Sequence, residues 1–128
     1  MNALTTSVPN LPAPPPAHSH AAEVRGGYHA DVVRRVAEAV AKHDVLVVGM
    51  AWNVPVKQAR RFLDDNGVKY EYLEIGNYLG MWRERLAVKL WSGWPTFPQV
   101  FIKGQLVGGA SDLKKLAASG ELARLLGK

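Results

Sequence analysis

Few residues in this chain are candidates for covalent chemistry. None of its 128 residues is cysteine, which excludes disulfides, thiolate metal sites and a thiol nucleophile. Of its four histidines, His18 and His20 stand two apart in a proline-rich stretch, and His29 and His43 lie just before and just after the first helical pattern. No Ser-His-Asp arrangement and no metal-ligand spacing accompanies them, so no catalytic residue is assigned. What remains is binding chemistry, concentrated in "WSGWPTFPQVFIKGQLVGG", residues 91 to 109. There Pro95 and Pro98 flank Thr96-Phe97, a β-prone run from Gln99 to Ile102 follows, and Gly108-Gly109 closes the unit. Proline pair, short strand and paired glycines are how a chain builds an exposed binding edge rather than buried core.

The elements that must hold this edge can be read from hydrophobic period. Val32, Val33, Val36, Ala39 and Val40 recur at helical spacing, with Arg34, Arg35, Glu38 and Lys42 mostly opposite. "VLVVGM", residues 45 to 50, is continuously apolar and suits a strand covered on both faces. "VPVKQARRFLDDNG" predicts a helix with Pro55 in its first turn, an apolar stripe of Ala59, Phe62 and Leu63, and a stop at Asn66-Gly67. "VKYEYLEI", residues 68 to 75, alternates as a second strand. Residues 79 to 93 carry Trp82, Leu86 and Leu90 at helical spacing, with Trp82, Trp91 and Trp94 expected in core and rim packing. Strands at 99 to 103 and 105 to 107 and a last helix or two from Ser111 complete the order α, β, α, β, α, β, β, α. Such an order makes an α/β sandwich with a mixed four-stranded sheet.

At 48% hydrophobic residues with four tryptophans, the chain has material for one domain's core. Residues 1–22 are rich in Pro and Ala and nearly uncharged, and are expected to form a disordered tail before a domain at 23–128. No run approaches the roughly 18 apolar residues of a membrane span, and no secretory pattern opens the chain, so a cytoplasmic protein without membrane association is expected. The charge of +5 is spread over pairs such as Arg34-Arg35, Arg60-Arg61 and Lys114-Lys115. Arg83, Arg85 and Lys89 stand among Tyr78, Trp82 and Trp91, but such groupings are more often the wet face of a helix than a nucleic-acid surface.

"WPTFPQVFIKGQLVGGASDL" resembles the C-terminal half of glutaredoxins, and "WPTFPQ" is most similar to their monothiol branch. The resemblance spans about residues 30 to 127. It implies a thioredoxin-like (glutaredoxin) fold and a surface for glutathione, a peptide with a carboxylate at each end. It also implies a cis Phe97-Pro98 bond, with Trp94-Pro95 expected trans. The backbone of Phe97, framed by Thr96 and Pro98, would then pair with an extended peptide. Gly109 would admit a close backbone, Ser111 or Asp112 would cap the next helix, and its first N–H groups would favour a carboxylate. Asp112 would meet the γ-glutamyl amine, and Arg85 the glycyl carboxylate.

Counting back from Phe62-Leu63, the family's cysteine motif falls on Asn53-Val54-Pro55-Val56, and Met50 stands where many members carry a lysine. An amide forms no mixed disulfide and is no soft ligand, so neither thiol-disulfide exchange nor an iron–sulfur cluster is expected. Asn53 reads as a helix N-cap. The expectation is a cysteine-less glutaredoxin-like protein that keeps part of a glutathione-binding surface, with affinity on the order of millimolar, and acts by binding, as adaptor, sensor or redox-related partner. The alternatives are a glutathione-dependent enzyme whose only thiol is the ligand's, and an interaction module built on the basic, Trp-bearing helix.

Overall fold

The computed structural model describes residues 15–21 and 27–128; most of the expected N-terminal tail lies outside the described residues. Nine elements follow one another from residue 30: α1 (Ala30–Lys42), β1 (Val45–Gly49), α2 (Val54–Asp65), β2 (Glu71–Glu74), α3 (Trp82–Ser92), β3 (Gln99–Ile102), β4 (Gln105–Gly108), α4 (Ala110–Ala118) and α5 (Glu121–Leu125). Their order is the one the apolar periods predict, with the final helical stretch divided in two.

The strands form one mixed sheet in the order β2-β1-β3-β4. β1 runs parallel to β2, with Val47 opposite Tyr72, and antiparallel to β3, with Val47 opposite Val100. β3 and β4 form the expected hairpin, and their register slips by one residue between Val100 and Phe101. All five residues of β1 are buried because the strand is central and covered on both faces. Leu46, Val48 and Phe101 meet Val32, Val36 and Val88 on one side. Val45, Val47, Val100 and Ile102 meet Ala59, Leu63, Leu113 and Leu122 on the other. Each face of the sheet therefore has its own apolar layer.

The helices begin and end where local chemistry dictates. Asn53 caps α2 by accepting the Val56 N–H at 2.9 Å, and Pro55 occupies the first turn. At the other end the Asn66 amide donates to the Phe62 carbonyl at 2.8 Å before Gly67 turns the chain.

α3 departs from expectation. Its clearest stripe, Trp82, Leu86 and Leu90, faces solvent, and the residues it buries are Arg85, Ala87 and Val88. Trp82 and Trp91 are likewise exposed, Trp91 retaining a tilted contact with Phe101 at 6.2 Å. The reason lies in what α3 must reach. It packs beside α1, where small Ala87 and Val88 allow close approach, and the loop before it needs donors that an apolar side chain cannot supply.

On the β2 edge, the Arg60 guanidinium lies 3.8 Å over the Tyr72 ring, and the Tyr72 hydroxyl donates to Glu74 at 2.9 Å. Burial, and then that bond, push the Tyr72 phenol up to about 12. The unfolded chain would lose this proton near pH 10, so the contribution is complete below pH 10 and is lost as pH rises from about 10 to about 12. Thermal unfolding followed across that range is expected to show a decline in stability that is reduced in Tyr72→Phe.

Candidate functional site

At the end of β1 that leads into α2, a cleft of about 550 Å³ opens. Four segments line it: Met50, Asn53, Pro55 and Gln58 around the start of α2; Lys89 from α3; Trp94 to Pro98 ahead of β3; and Gly109 to Asp112 at the start of α4. Thr96, Phe97, Pro98, Gly109, Ser111 and Asp112, named from the sequence as ligand contacts, therefore stand together. A second hollow of about 540 Å³, at the opposite end of β1, is lined by His43, Lys69 and Glu71 among others and contains none of these residues.

The Phe97-Pro98 peptide is cis, as the motif implied, and it is the only cis bond among the described residues. Gly108 has φ +115°, and a Cβ there would lie 2.7 Å from the Asp112 carboxylate, so both backbone and space require glycine. Gly109 is different. A Cβ there would find the Pro98 carbonyl at 3.6 Å, Asp112 Oδ2 at 3.7 Å and Trp94 Nε1 at 3.9 Å, which are ordinary contacts. The fold tolerates a side chain at 109, and the chain leaves the cleft open there.

Two helix N-termini face the cleft, those of α2 and α4, and their unpaired N–H groups favour negative charge. Asp112, rather than Ser111, caps α4: its Oδ2 accepts the Gly109 N–H at 2.9 Å, and Ser111 is exposed. The Lys89 ammonium sits 5.6 Å from the centre of the Phe97 ring. Sequence reasoning missed this cation. Its signal was its position four residues after Arg85, which places the two on one side of α3. Trp94 Nε1, buried in the cleft wall, has no hydrogen-bond partner among the described residues.

The known proteins that this chain resembles agree with the motif. The glutaredoxin family model matches residues 56–107. A glutaredoxin-like protein of Dictyostelium discoideum is 44% identical over 95 residues, covering 74% of this chain and 77% of that protein. The chain belongs to the glutaredoxin family. A bifunctional monothiol glutaredoxin of Arabidopsis thaliana chloroplasts is 46% identical over 66 residues, which is half of this chain and 22% of that longer protein. Among solved structures, oxidised glutaredoxin 2 of Chlamydomonas reinhardtii superposes with a TM-score of 0.66 at 28% identity, covering 76% of this chain and 92% of that one. The buckwheat glutaredoxin–glutathione complex superposes with a TM-score of 0.68 at 19% identity, covering 78% and 91%. The thioredoxin-like sandwich expected from the sequence is the fold observed.

This glutaredoxin departs from its family at the sulfur position. Asn53 spends both ends of its amide on the protein, Oδ1 on the Val56 N–H and Nδ2 on the Tyr78 hydroxyl at 3.3 Å. The donor set does not fit an iron–sulfur cluster, which needs thiolates or imidazoles where this chain presents a capped amide. It fits a carboxylate-bearing peptide: an unused indole N–H in the wall, two helix N-termini, one ammonium, and an open glycine.

Arg85 is the one residue named from the sequence as a ligand contact that stands outside the cleft lining. Neither exposed nor part of the cleft lining, it is buried, with Nη1 donating to the Ile75 carbonyl at 3.0 Å and the Gly80 carbonyl at 2.8 Å. The tight turn at Gly76, where a Cβ would meet the Gly80 carbonyl at 2.5 Å, packs against it. The Gly80 carbonyl also accepts the Asn77 N–H at 3.3 Å, and Arg85 is the side chain that reaches both carbonyls. Lys89 is the α3 cation that lines the cleft.

Proposed function

We propose that this glutaredoxin binds glutathione, or a peptide of like chemistry, noncovalently in the cleft and acts through binding rather than thiol-disulfide exchange. The observation that carries the reading is the convergence of Thr96, Phe97, Pro98, Gly109, Ser111 and Asp112 on one cleft in a chain with no cysteine. The buckwheat glutaredoxin–glutathione complex, which shares the fold, supports the choice of ligand. The Phe97 backbone pairs with the extended peptide, the N-terminus of α4 receives one carboxylate, Asp112 receives the ammonium beside it, and Lys89 receives the second carboxylate. A few charge-assisted bonds of about 1.5–3 kcal/mol each, set against the cost of association, give affinity on the order of millimolar.

Titration of reduced glutathione and of S-methyl glutathione, followed by NMR, tests this. With no protein thiol to engage, both ligands are expected to bind with equal affinity and to shift the amides of Phe97, Gly109 and Ser111. Lys89→Ala is expected to weaken binding about fivefold to tenfold, and Arg34→Ala, remote on α1, to leave it unchanged. Gly109→Ala should hold folding stability within about 0.5 kcal/mol, since the fold has room for the methyl, and should still weaken binding because the methyl occupies ligand space. Absence of shifts in the cleft near saturating ligand would sink the reading.

A further inference from the structure

The outward stripe of α3 is an observation the cleft does not use. Trp82 is 55% exposed, Leu86 37% and Leu90 68%, and Leu79, just ahead of the helix, is 87% exposed. Apolar side chains scattered singly over a surface need no partner, but these stand four residues apart on one helix and form a continuous ridge. At about 100° per residue, Arg83 falls on the flank of the ridge, while Glu84, the only acid of α3, points away from it. The Arg83 guanidinium lies 4.6 Å from the centre of the Trp82 ring, which holds that charge against the stripe.

We propose that this face docks a partner protein through an acidic amphipathic helix, whose apolar residues pack on Trp82, Leu86 and Leu90 and whose carboxylates meet Arg83. The stripe is one helix wide and straight, which suits side-by-side helix packing. Its charge decides between occupants. A second copy related by a two-fold axis would add a second Arg83 to the same apolar seam with no acid of α3 to offset it, in a chain already at +5. The inference stands on α3 alone and does not depend on what the cleft binds.

The test uses the full chain, isotope-labelled, and two synthetic helical peptides that share leucines at i, i+4 and i+7 and differ only in flanking glutamates or lysines. The acidic peptide is expected to shift the Trp82 indole signal and the amides of residues 82–90, leave the Trp94 indole in place, and bind about tenfold or more tighter than the basic peptide, with the difference shrinking in high salt. Leu90→Ser, at an exposed position, should abolish the shifts without changing the melting temperature. Arg83→Glu should narrow or reverse the preference between the peptides. Equal binding of the two peptides overturns the proposal, as does a lack of shifts with both. So does concentration-dependent dimerisation that Leu90→Ser removes, which assigns the face to a second copy. Capture by phosphatidylserine-containing vesicles without peptide shifts assigns it to lipid instead, and also overturns the proposal.

Discussion

Arg85→Ala is expected to lower folding stability by about 3 kcal/mol, which for a domain of this size corresponds to a fall of roughly 15 °C in melting temperature. The side chain is only 7% exposed, and a single nitrogen serves two carbonyls, those of Ile75 and Gly80. Hydrogen bonds from a charged donor contribute about 1.5–3 kcal/mol each, and removing the donor takes it from the Ile75 carbonyl and leaves the Gly80 carbonyl only the Asn77 N–H at 3.3 Å. The methyl that remains cannot reach them, and water enters only if the turn at Gly76 opens. Arg85→Lys, which can satisfy one carbonyl, should recover part of the loss. Calorimetry of the three proteins reads the stabilities, and glutathione titration of the same samples separates the roles. A variant with unchanged melting temperature and abolished ligand shifts would return Arg85 to the ligand and remove it from the fold.

Asn53→Cys is expected to give this chain a reaction that its sequence otherwise forbids. The position is the N-cap of α2 and lines the cleft, so an introduced thiol sits where helix N–H groups stabilise its thiolate. That thiolate attacks one sulfur of oxidised glutathione. The ligand's disulfide breaks, a mixed disulfide with the protein forms, and reduced glutathione leaves as its thiolate, which takes a proton from water. Ser119→Cys is the control, because it is exposed at the C-cap of α4, where the helix dipole disfavours an anion. At neutral pH the first variant should form its mixed disulfide about tenfold faster than the second, read by mass spectrometry over time. The substitution also removes the Asn53 cap, at a cost of about 1 kcal/mol, so its stability is measured alongside. Equal rates in the two variants would mean that the cleft confers nothing on a sulfur placed in it.

The order of elements was legible in the sequence because it depends on local periods. β1 is apolar throughout since it is covered twice, α2 is bracketed by Asn53 and Asn66-Gly67, and the hairpin follows from its Lys103-Gly104 turn. Most of the candidate site was legible for a related reason. Residues 94 to 98 and 108 to 112 are short segments whose backbone geometry depends on their own prolines and glycines, and the hairpin between them brings them to one end of the sheet. The exclusion of protein thiol chemistry needed no structure at all, since it follows from the absence of one element's functional group.

The orientation of α3 was decided only by the tertiary structure. Helical spacing shows that Trp82, Leu86 and Leu90 share a face, but period says nothing about which face meets the core, and hydrophobicity pointed to the wrong one. The choice went to small Ala87 and Val88, which fit beside α1, and to Arg85, whose guanidinium gives the inward Ile75 carbonyl a donor and the Gly80 carbonyl a second one beside the Asn77 N–H. That one rotation buried Arg85 against the Ile75 and Gly80 carbonyls, brought Lys89 to the edge of the cleft, and turned an aromatic and aliphatic stripe toward solvent. Local pattern determines which residues lie on the same side of an element; the side that is buried depends on neighbours distant in the chain, and on which of their polar groups would otherwise have no partner.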